Sequence, residues 1–115
     1  MYDMESTLIA INPVRANRAG DFEHWLRTVV VPAVERHRPA WDGRWRVLRA
    51  EQVKDGVVTF AFLLDGGPEL NWQLRPLLEE ALGPSDAEDS LRGMRQMLAG
   101  DHFGWFFVPV EFTAP

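Results

Sequence analysis

One histidine stands in a context that suits proton transfer. His102 follows Asp101 and precedes Phe103, just before the last apolar segment of the chain. An imidazole titrates near neutral pH, so His102 is a candidate general base toward a phenol. The alternative is an exposed loop histidine, because adjacent side chains such as those of Asp101 and His102 diverge. His24 and His37 lie on the polar side and at the end of a predicted helix, where we expect structural roles.

Aromatic side chains are abundant, with five tryptophans among 115 residues. Apolar rings can stack on a planar ligand without specific polar chemistry. The aromatic content predicts a small-molecule site, and the ligand-binding candidates are Trp45, Phe60, Phe62, Trp72 and Trp105. The alternative is that these rings fill the core or a subunit interface and leave no space for a substrate.

The basic residues are eleven arginines and one lysine. Arg44, Arg46 and Arg49 lie close together in one predicted strand, where they could hold a carboxylate or an enolate. The alternative is a solvated edge strand. There is no cysteine, no HxH or HExxH spacing and no paired acidic loop, so we expect neither a metal nor a cofactor.

Composition limits the class of protein. A chain of 115 residues with 46% hydrophobic residues predicts a single globular domain over residues 1–115. The net charge of −5 argues against a nucleic-acid partner, which requires basic surface. No signal peptide and no long apolar segment is visible, so we expect no membrane partner and a cytoplasmic location.

The hydrophobic pattern predicts a β-α-β-β-α-β chain. The predicted strands cover 6–14, 44–53, 57–65 and 105–112, and the predicted helices cover 21–38, 69–82 and 85–98, the last two forming one helical region. One compact arrangement suits this order: a four-stranded antiparallel sheet in the order 4-1-3-2 with both helical regions on one face, which is a ferredoxin-like α+β fold.

Particular residues mark the predicted boundaries. Pro32 should interrupt the first helix, because it lacks an N–H and crowds the carbonyl of the preceding turn. Asp55-Gly56 is typical of a tight hairpin turn. Ser85 begins a capping-box spacing, and Gly100 is a plausible helix stop. Pro109, inside the predicted last strand, suggests that this strand is an edge strand.

Two predicted strands are apolar on both faces, namely residues 7–11 and 57–64. Alternate side chains of a strand face opposite sides of a sheet, so both sides of this sheet need cover. The chain has helical material for one side only. We therefore predict a homodimer, in which a second copy covers the other side and a small apolar chamber lies between the two sheets.

This pattern resembles the dimeric α+β barrel superfamily, also called ferredoxin-like dimers, and its antibiotic-biosynthesis-monooxygenase type families. The matching segments are residues 8–12, 21–26, 55–56 and 104–110. The resemblance implies two sheets packed face to face with the helices outside, and a site for small, often aromatic molecules. Members include cofactor-independent quinol or polyketide monooxygenases, haem-degrading enzymes, cyclases and decarboxylases, so the fold does not define the reaction.

The resemblance also implies a role for Asn12. In haem-degrading members an asparagine near the end of the first strand holds a ligand by hydrogen bonding. Those members also carry a tryptophan in the third strand and a histidine on the second helix. This chain has Phe60 and Phe62 in the third strand and no histidine between His37 and His102, which argues against haem degradation. The alternative for Asn12 is a turn formed with Pro13.

Together these observations predict a small dimeric α+β barrel protein with a monooxygenase-like activity on a small hydrophobic or aromatic molecule. In that interpretation His102 is the base and Asn12 a hydrogen-bonding partner of the substrate. The alternative is a non-catalytic dimer that binds a small molecule or serves regulation. The two interpretations differ in whether a titratable group reaches a buried cavity.

Overall fold

A computed structural model of the chain describes residues 6–112 and contains one four-stranded antiparallel sheet. The strands are β1 (Thr7–Arg15), β2 (Trp45–Arg49), β3 (Val57–Asp65) and β4 (Phe103–Phe107). The helices are α1 (Ala19–Trp25), α2 (Val31–His37), α3 (Leu74–Leu82) and α4 (Pro84–Met97). The sheet order β2-β3-β1-β4 confirms the predicted order 4-1-3-2, and with it the ferredoxin-like α+β fold.

The first helical region is interrupted near Pro32, as the sequence predicts. A π-helical segment, Leu26–Val30, joins α1 to α2, and Pro32 is the second residue of α2. Proline has no N–H to donate to the carbonyl of Thr28, so the regular pattern cannot continue. The chain shifts to wider turns instead, in which the N–H of Val31 donates to the carbonyl of Leu26.

The hairpin between β2 and β3 is also as predicted. Asp55 and Gly56 have φ angles of 54° and 73°, the left-handed pair that suits the twist of a two-residue hairpin. The N–H groups of Lys54 and Val57 donate to each other's carbonyls at 3.0 Å.

Several predicted boundaries were wrong. β2 ends at Arg49, and β4 covers Phe103–Phe107, so Pro109 lies beyond it. The prediction that β4 is an edge strand is confirmed, although Pro109 is not the residue that makes it one. A short 3₁₀ segment, Pro68–Leu70, precedes α3, which begins only at Leu74.

The ends of α4 differ from the predicted caps. Its N-cap is Gly83, with a φ of 87° and no side-chain cap, so Ser85 is inside the helix and does not cap it. Leu98 already has an extended conformation. The N–H of Ala99 donates to the carbonyl of Pro13 at 2.8 Å, and this bond returns the chain to the sheet before Gly100 is reached.

The two faces of the sheet differ in their cover. The face packed against the helices, the inner face, contributes Leu8, Val14, Val58, Phe60 and Leu64 to the core. Phe60 packs on Phe22 of α1, with 4.8 Å between ring centroids. The opposite face, the outer face, carries the alternate residues of each strand and has no element of the described chain packed on it.

Candidate functional site

The less buried part of the inner face is the candidate site. Ala10 of β1 and Phe62 of β3 lie opposite each other in the two central strands, yet both are only half-buried. On the β4 side, Gly104 is exposed and Phe106 is half-buried. We call the space above Ala10, Phe62, Gly104 and Phe106 the inner recess.

Small residues keep the floor of the inner recess free of side chains. Gly104 is the register partner of Ala10 across the β1–β4 pair. A Cβ atom at Gly104 would lie 3.1 Å from the Cα and Cβ atoms of Ala10, closer than normal packing allows. Glycine is therefore suited to this position, and the neighbouring Ala10 adds only a methyl group to the surface there.

An aromatic side chain borders the inner recess. Trp72 lies in the loop before α3 and is 37% exposed. Its ring meets that of Phe106 edge-on, with 5.7 Å between centroids. The recess therefore combines an apolar floor with two aromatic rings at one end, which is the surface that a small planar molecule would require.

The two candidate catalytic residues lie just beyond the same end of the β1–β4 pairing. The β1–β4 pairing ends at Ile11 opposite Phe103, so the next residues on the two strands are Asn12 and His102. Asn12 is buried on the inner face, while His102 and Asp101 are exposed. Both residues thus follow the last β1–β4 pair, with the asparagine buried and the histidine exposed.

The five aromatic ligand-binding candidates do not form a single box. Phe62 and Trp72 border the inner recess. Phe60 is buried in the core, and Trp45 of β2 is half-buried against Trp41, with 6.0 Å between centroids. Trp105 lies on the outer face and is 67% exposed. Strand alternation separates Trp105 from the others, because its register partner Ile9 points away from the helices.

The three clustered arginines are likewise divided. Arg46 lies on the outer face and Arg49 on the inner face, opposite Phe60. Arg44 precedes β2, and its carbonyl accepts from the N–H of Asp65 at 2.9 Å. They do not form one anion site.

The floor residues Ala10, Gly104 and Phe106 were missed by the sequence reasoning. A small residue at an inner-face position of an otherwise bulky apolar strand is a weak signal of such a recess. Alanine and glycine also occur in strands for close packing, so the pattern alone does not distinguish the two cases.

The strongest electrostatic pair lies away from the inner recess. The buried guanidinium of Arg38 donates two hydrogen bonds to Glu80 of α3, at 2.9 and 2.7 Å. These bonds lower the pKa of Glu80 and raise that of Arg38. The pair connects the end of α2 to α3, and we assign it a structural role.

Among the residues that the structure describes, 6–112, no group of three or more histidines and carboxylates is placed to hold a metal ion. Likewise, none of their helices combines the length and hydropathy needed to cross a membrane.

No protein family profile matches the sequence, and no curated protein matches it. Solved structures do resemble it. A proposed antibiotic biosynthesis monooxygenase from Caulobacter crescentus CB15 is 18% identical, with a TM-score of 0.55 over 96% of this chain and 94% of that one. A dimeric ferredoxin-like protein from an uncultured marine organism is 11% identical, with a TM-score of 0.60 over 100% and 96%.

A proposed antibiotic biosynthesis monooxygenase from Nitrosomonas europaea is 9% identical, with a TM-score of 0.55 over 99% of this chain and 98% of that one. At these identities the likeness concerns the fold. The overlap extends over nearly the whole of each chain, and together with the strand order β2-β3-β1-β4 it shows that this chain has a ferredoxin-like fold, similar to that of these proteins.

Proposed function

We propose that the protein is a homodimeric, cofactor-independent monooxygenase-like enzyme that binds a small aromatic or otherwise hydrophobic molecule in the inner recess. The observation that carries this proposal is the half-open state of Ala10 and Phe62. Inner positions of central strands are normally buried under helices, and here they remain partly exposed near the rings of Phe106 and Trp72. The descriptions of the relatives from Caulobacter and Nitrosomonas favour the same chemistry.

The proposed reaction needs little from the protein beyond desolvation, orientation and one proton transfer. His102 takes the proton of a phenolic hydroxyl, and Asn12 holds the resulting oxygen by hydrogen bonding. The electron-rich phenolate then supplies the electrons for dioxygen. One oxygen atom of dioxygen becomes a new carbonyl of a quinone, and the other leaves as water with two hydrogens from the substrate.

Oxygen uptake with a panel of quinols and polyphenols tests the activity. If a substrate is turned over, His102→Ala should lower the rate by about a hundredfold to ten-thousandfold, the usual contribution of a general base. Asn12→Ala should reduce the rate more modestly or raise KM. The matched control is His24→Ala, at an exposed position on α1, which should keep full activity. Full activity in His102→Ala would eliminate the proposed base.

Filling the inner recess tests the location of the ligand. Ala10→Leu should block turnover and binding, because it places a larger side chain on the floor, while circular dichroism reports that the fold is kept. Unchanged turnover in a folded Ala10→Leu variant would exclude the inner recess as the site.

A second candidate function is a non-catalytic binding or regulatory dimer. The observation that favours it is the exposure of both His102 and Asp101, because a base in solvent is poorly placed to act on a desolvated substrate. Aromatic molecules would then bind without oxygen uptake, and binding would be insensitive to His102→Ala.

The homodimer is proposed from the outer face. Apolar residues of all four strands lie there, and Leu48, Phe103 and Trp105 are 45%, 52% and 67% exposed. A contiguous apolar patch of this kind is uncommon on a monomer and marks an interaction surface. The name of the dimeric ferredoxin-like relative favours a second copy as the partner. A cytoplasmic location remains a prediction.

A further inference from the structure

A second concave surface lies at the β2 edge of the inner face, beside the inner recess, since Val47 of this surface pairs with Phe62. We call it the β2 cleft. It has a volume of about 280 Å³ and lies between the π-helical segment and the sheet. Its apolar walls are Leu26, Val31, Val47 and Phe60. π-helical turns are rare and occur frequently at functional sites, so the presence of one beside a cleft is a second reason to consider binding there.

Charged groups surround the mouth of the β2 cleft. Arg49 of β2 forms an ion pair with Glu23 of α1 across the mouth. Arg27, one helical turn after Glu23, approaches the other oxygen of the same carboxylate at 3.8 Å. Two guanidinium groups therefore share one carboxylate, which leaves one positive charge without compensation among these three residues.

We propose that the β2 cleft binds a small molecule with an apolar, ring-sized body and a single carboxylate. The body would contact the apolar walls, and the carboxylate would bind Arg49 and Arg27 at the mouth. Arginine is well suited to this role because its planar fork can donate two parallel hydrogen bonds to a carboxylate.

The Glu23–Arg49 pair makes the proposal specific, because Glu23 competes with the ligand for the same guanidinium. Ion pairs at exposed positions are weak, so a ligand carboxylate with apolar contacts can displace Glu23. Neutralising Glu23 should therefore strengthen ligand binding. A merely structural role of the pair predicts no such gain.

Isothermal titration with 1-naphthoate and its neutral isostere 1-naphthamide tests the proposal on the full chain. Naphthoate should bind at least tenfold more tightly than naphthamide. Arg49→Gln should remove this preference, and Glu23→Gln should raise the affinity for naphthoate several-fold. The matched control is Arg92→Gln on α4, an exposed arginine paired with Asp89 at 3.0 Å, which should change neither affinity.

Two cleft variants locate the probe, with folding checked by circular dichroism. Val47→Phe should weaken both probes by filling the β2 cleft, whereas Ala10→Leu, which fills the inner recess, should leave the preference for naphthoate over naphthamide unchanged. The proposal is overturned if naphthoate does not bind at millimolar concentration, or if the two probes bind equally. Weaker or unchanged naphthoate binding in Glu23→Gln, or loss of the preference for naphthoate in Ala10→Leu but not in Val47→Phe, would also overturn it. None of these outcomes depends on the proposed oxygenase activity.

Discussion

The two faces of the sheet are built from similar residues but have different surroundings. The inner face places Leu8, Val58 and Phe60 against the helices, and all three are buried. The outer face carries Ile9, Leu63 and residues of the same kind, and it is covered by nothing in the described chain. Apolar residues on both faces of a strand therefore indicate that both faces of the sheet must be buried. They do not indicate whether the same chain or another molecule buries each face. One cover is intramolecular, and we propose that the other is a second copy.

The inner face itself contains a similar contrast on a smaller scale. Phe60 is 2% exposed because Phe22 of α1 packs directly on its ring, although Phe60 also lines the β2 cleft. At the neighbouring inner positions, Phe62 and Ala10, the layer leaves the inner recess. Phe60 in the well-packed core and Phe62 in the candidate site are therefore consecutive inner-face residues of β3, two positions apart in the sequence.

The largest effect should come from breaking the closed part of the inner face. Phe22→Ala removes a ring that is 1% exposed, and it should lower the free energy of unfolding by about 3–5 kcal/mol. Leu48→Ala on the outer face is the comparison variant. At protein concentrations below the dimer dissociation constant, it should lower the free energy of unfolding by less than about 1 kcal/mol. Urea denaturation measures both. Equal losses for the two variants would contradict the difference in cover.

The next effect concerns the outer face. Trp105→Glu should dissociate the proposed dimer, because it introduces a charge into an apolar contact. We expect a rise in the dimer dissociation constant of about a hundredfold or more, equivalent to about 2.7 kcal/mol. Sedimentation should show about twice the chain mass of 13.1 kDa for the original protein and one chain mass for the variant.

Leu82→Glu is the matched control for this change, since Leu82 is an exposed apolar residue on α3. It should leave the sedimentation behaviour unchanged. A monomeric original protein at micromolar concentration would contradict the outer-face interface, as would dissociation by both variants alike.

A smaller effect is expected from the ion pair between Arg38 and Glu80, which connects the end of α2 to α3 within the helical layer. Arg38 lowers the pKa of Glu80, chiefly by hydrogen bonding, so the ionised carboxylate stabilises the folded state. This contribution is complete above the ordinary glutamate pKa of about 4.3 and is lost as the pH falls through the lowered folded pKa. Glu80→Gln should therefore lower Tm near pH 7, and the difference from the original protein should shrink below about pH 4.

Thermal unfolding followed by circular dichroism across this pH range measures the effect. Glu79→Gln, at the exposed neighbouring position, controls for the loss of a negative charge on α3. A Tm difference for Glu80→Gln that does not vary with pH would contradict the assigned cause.

The smallest effect concerns one hydrogen bond within the helical layer. The indole N–H of Trp25 on α1 donates to the hydroxyl of Ser90 on α4 at 2.8 Å. Ser90→Ala should cost about 1 kcal/mol, because it leaves a largely buried donor without its partner. Ser85→Ala should cost less than about 0.5 kcal/mol, because Ser85 is exposed and does not cap α4. Urea denaturation distinguishes the two. If Ser85→Ala lowered the free energy of unfolding more than Ser90→Ala, the result would support the capping box that the spacing predicted.

The sequence by itself determined the elements and their order. The continuously apolar strands, the helical period from Phe22 to Val34, the Asp55-Gly56 turn and the break at Pro32 are all patterns of residues close along the chain. Such interactions are encoded locally, so they can be recognised without the fold. The strand order followed as well, because β1 and β3 are the most continuously apolar and must be central.

Only the tertiary structure decided where those elements leave space. Whether Ala10 and Gly104 form a floor depends on which side chains of distant helices lie above them, and no local pattern encodes that. The pairing of Arg49 with Glu23, and the division of the aromatic candidates between two faces, depend on register and on contacts between segments far apart in sequence. The elements were therefore predictable from the chain, whereas the cavities between them required the packed structure.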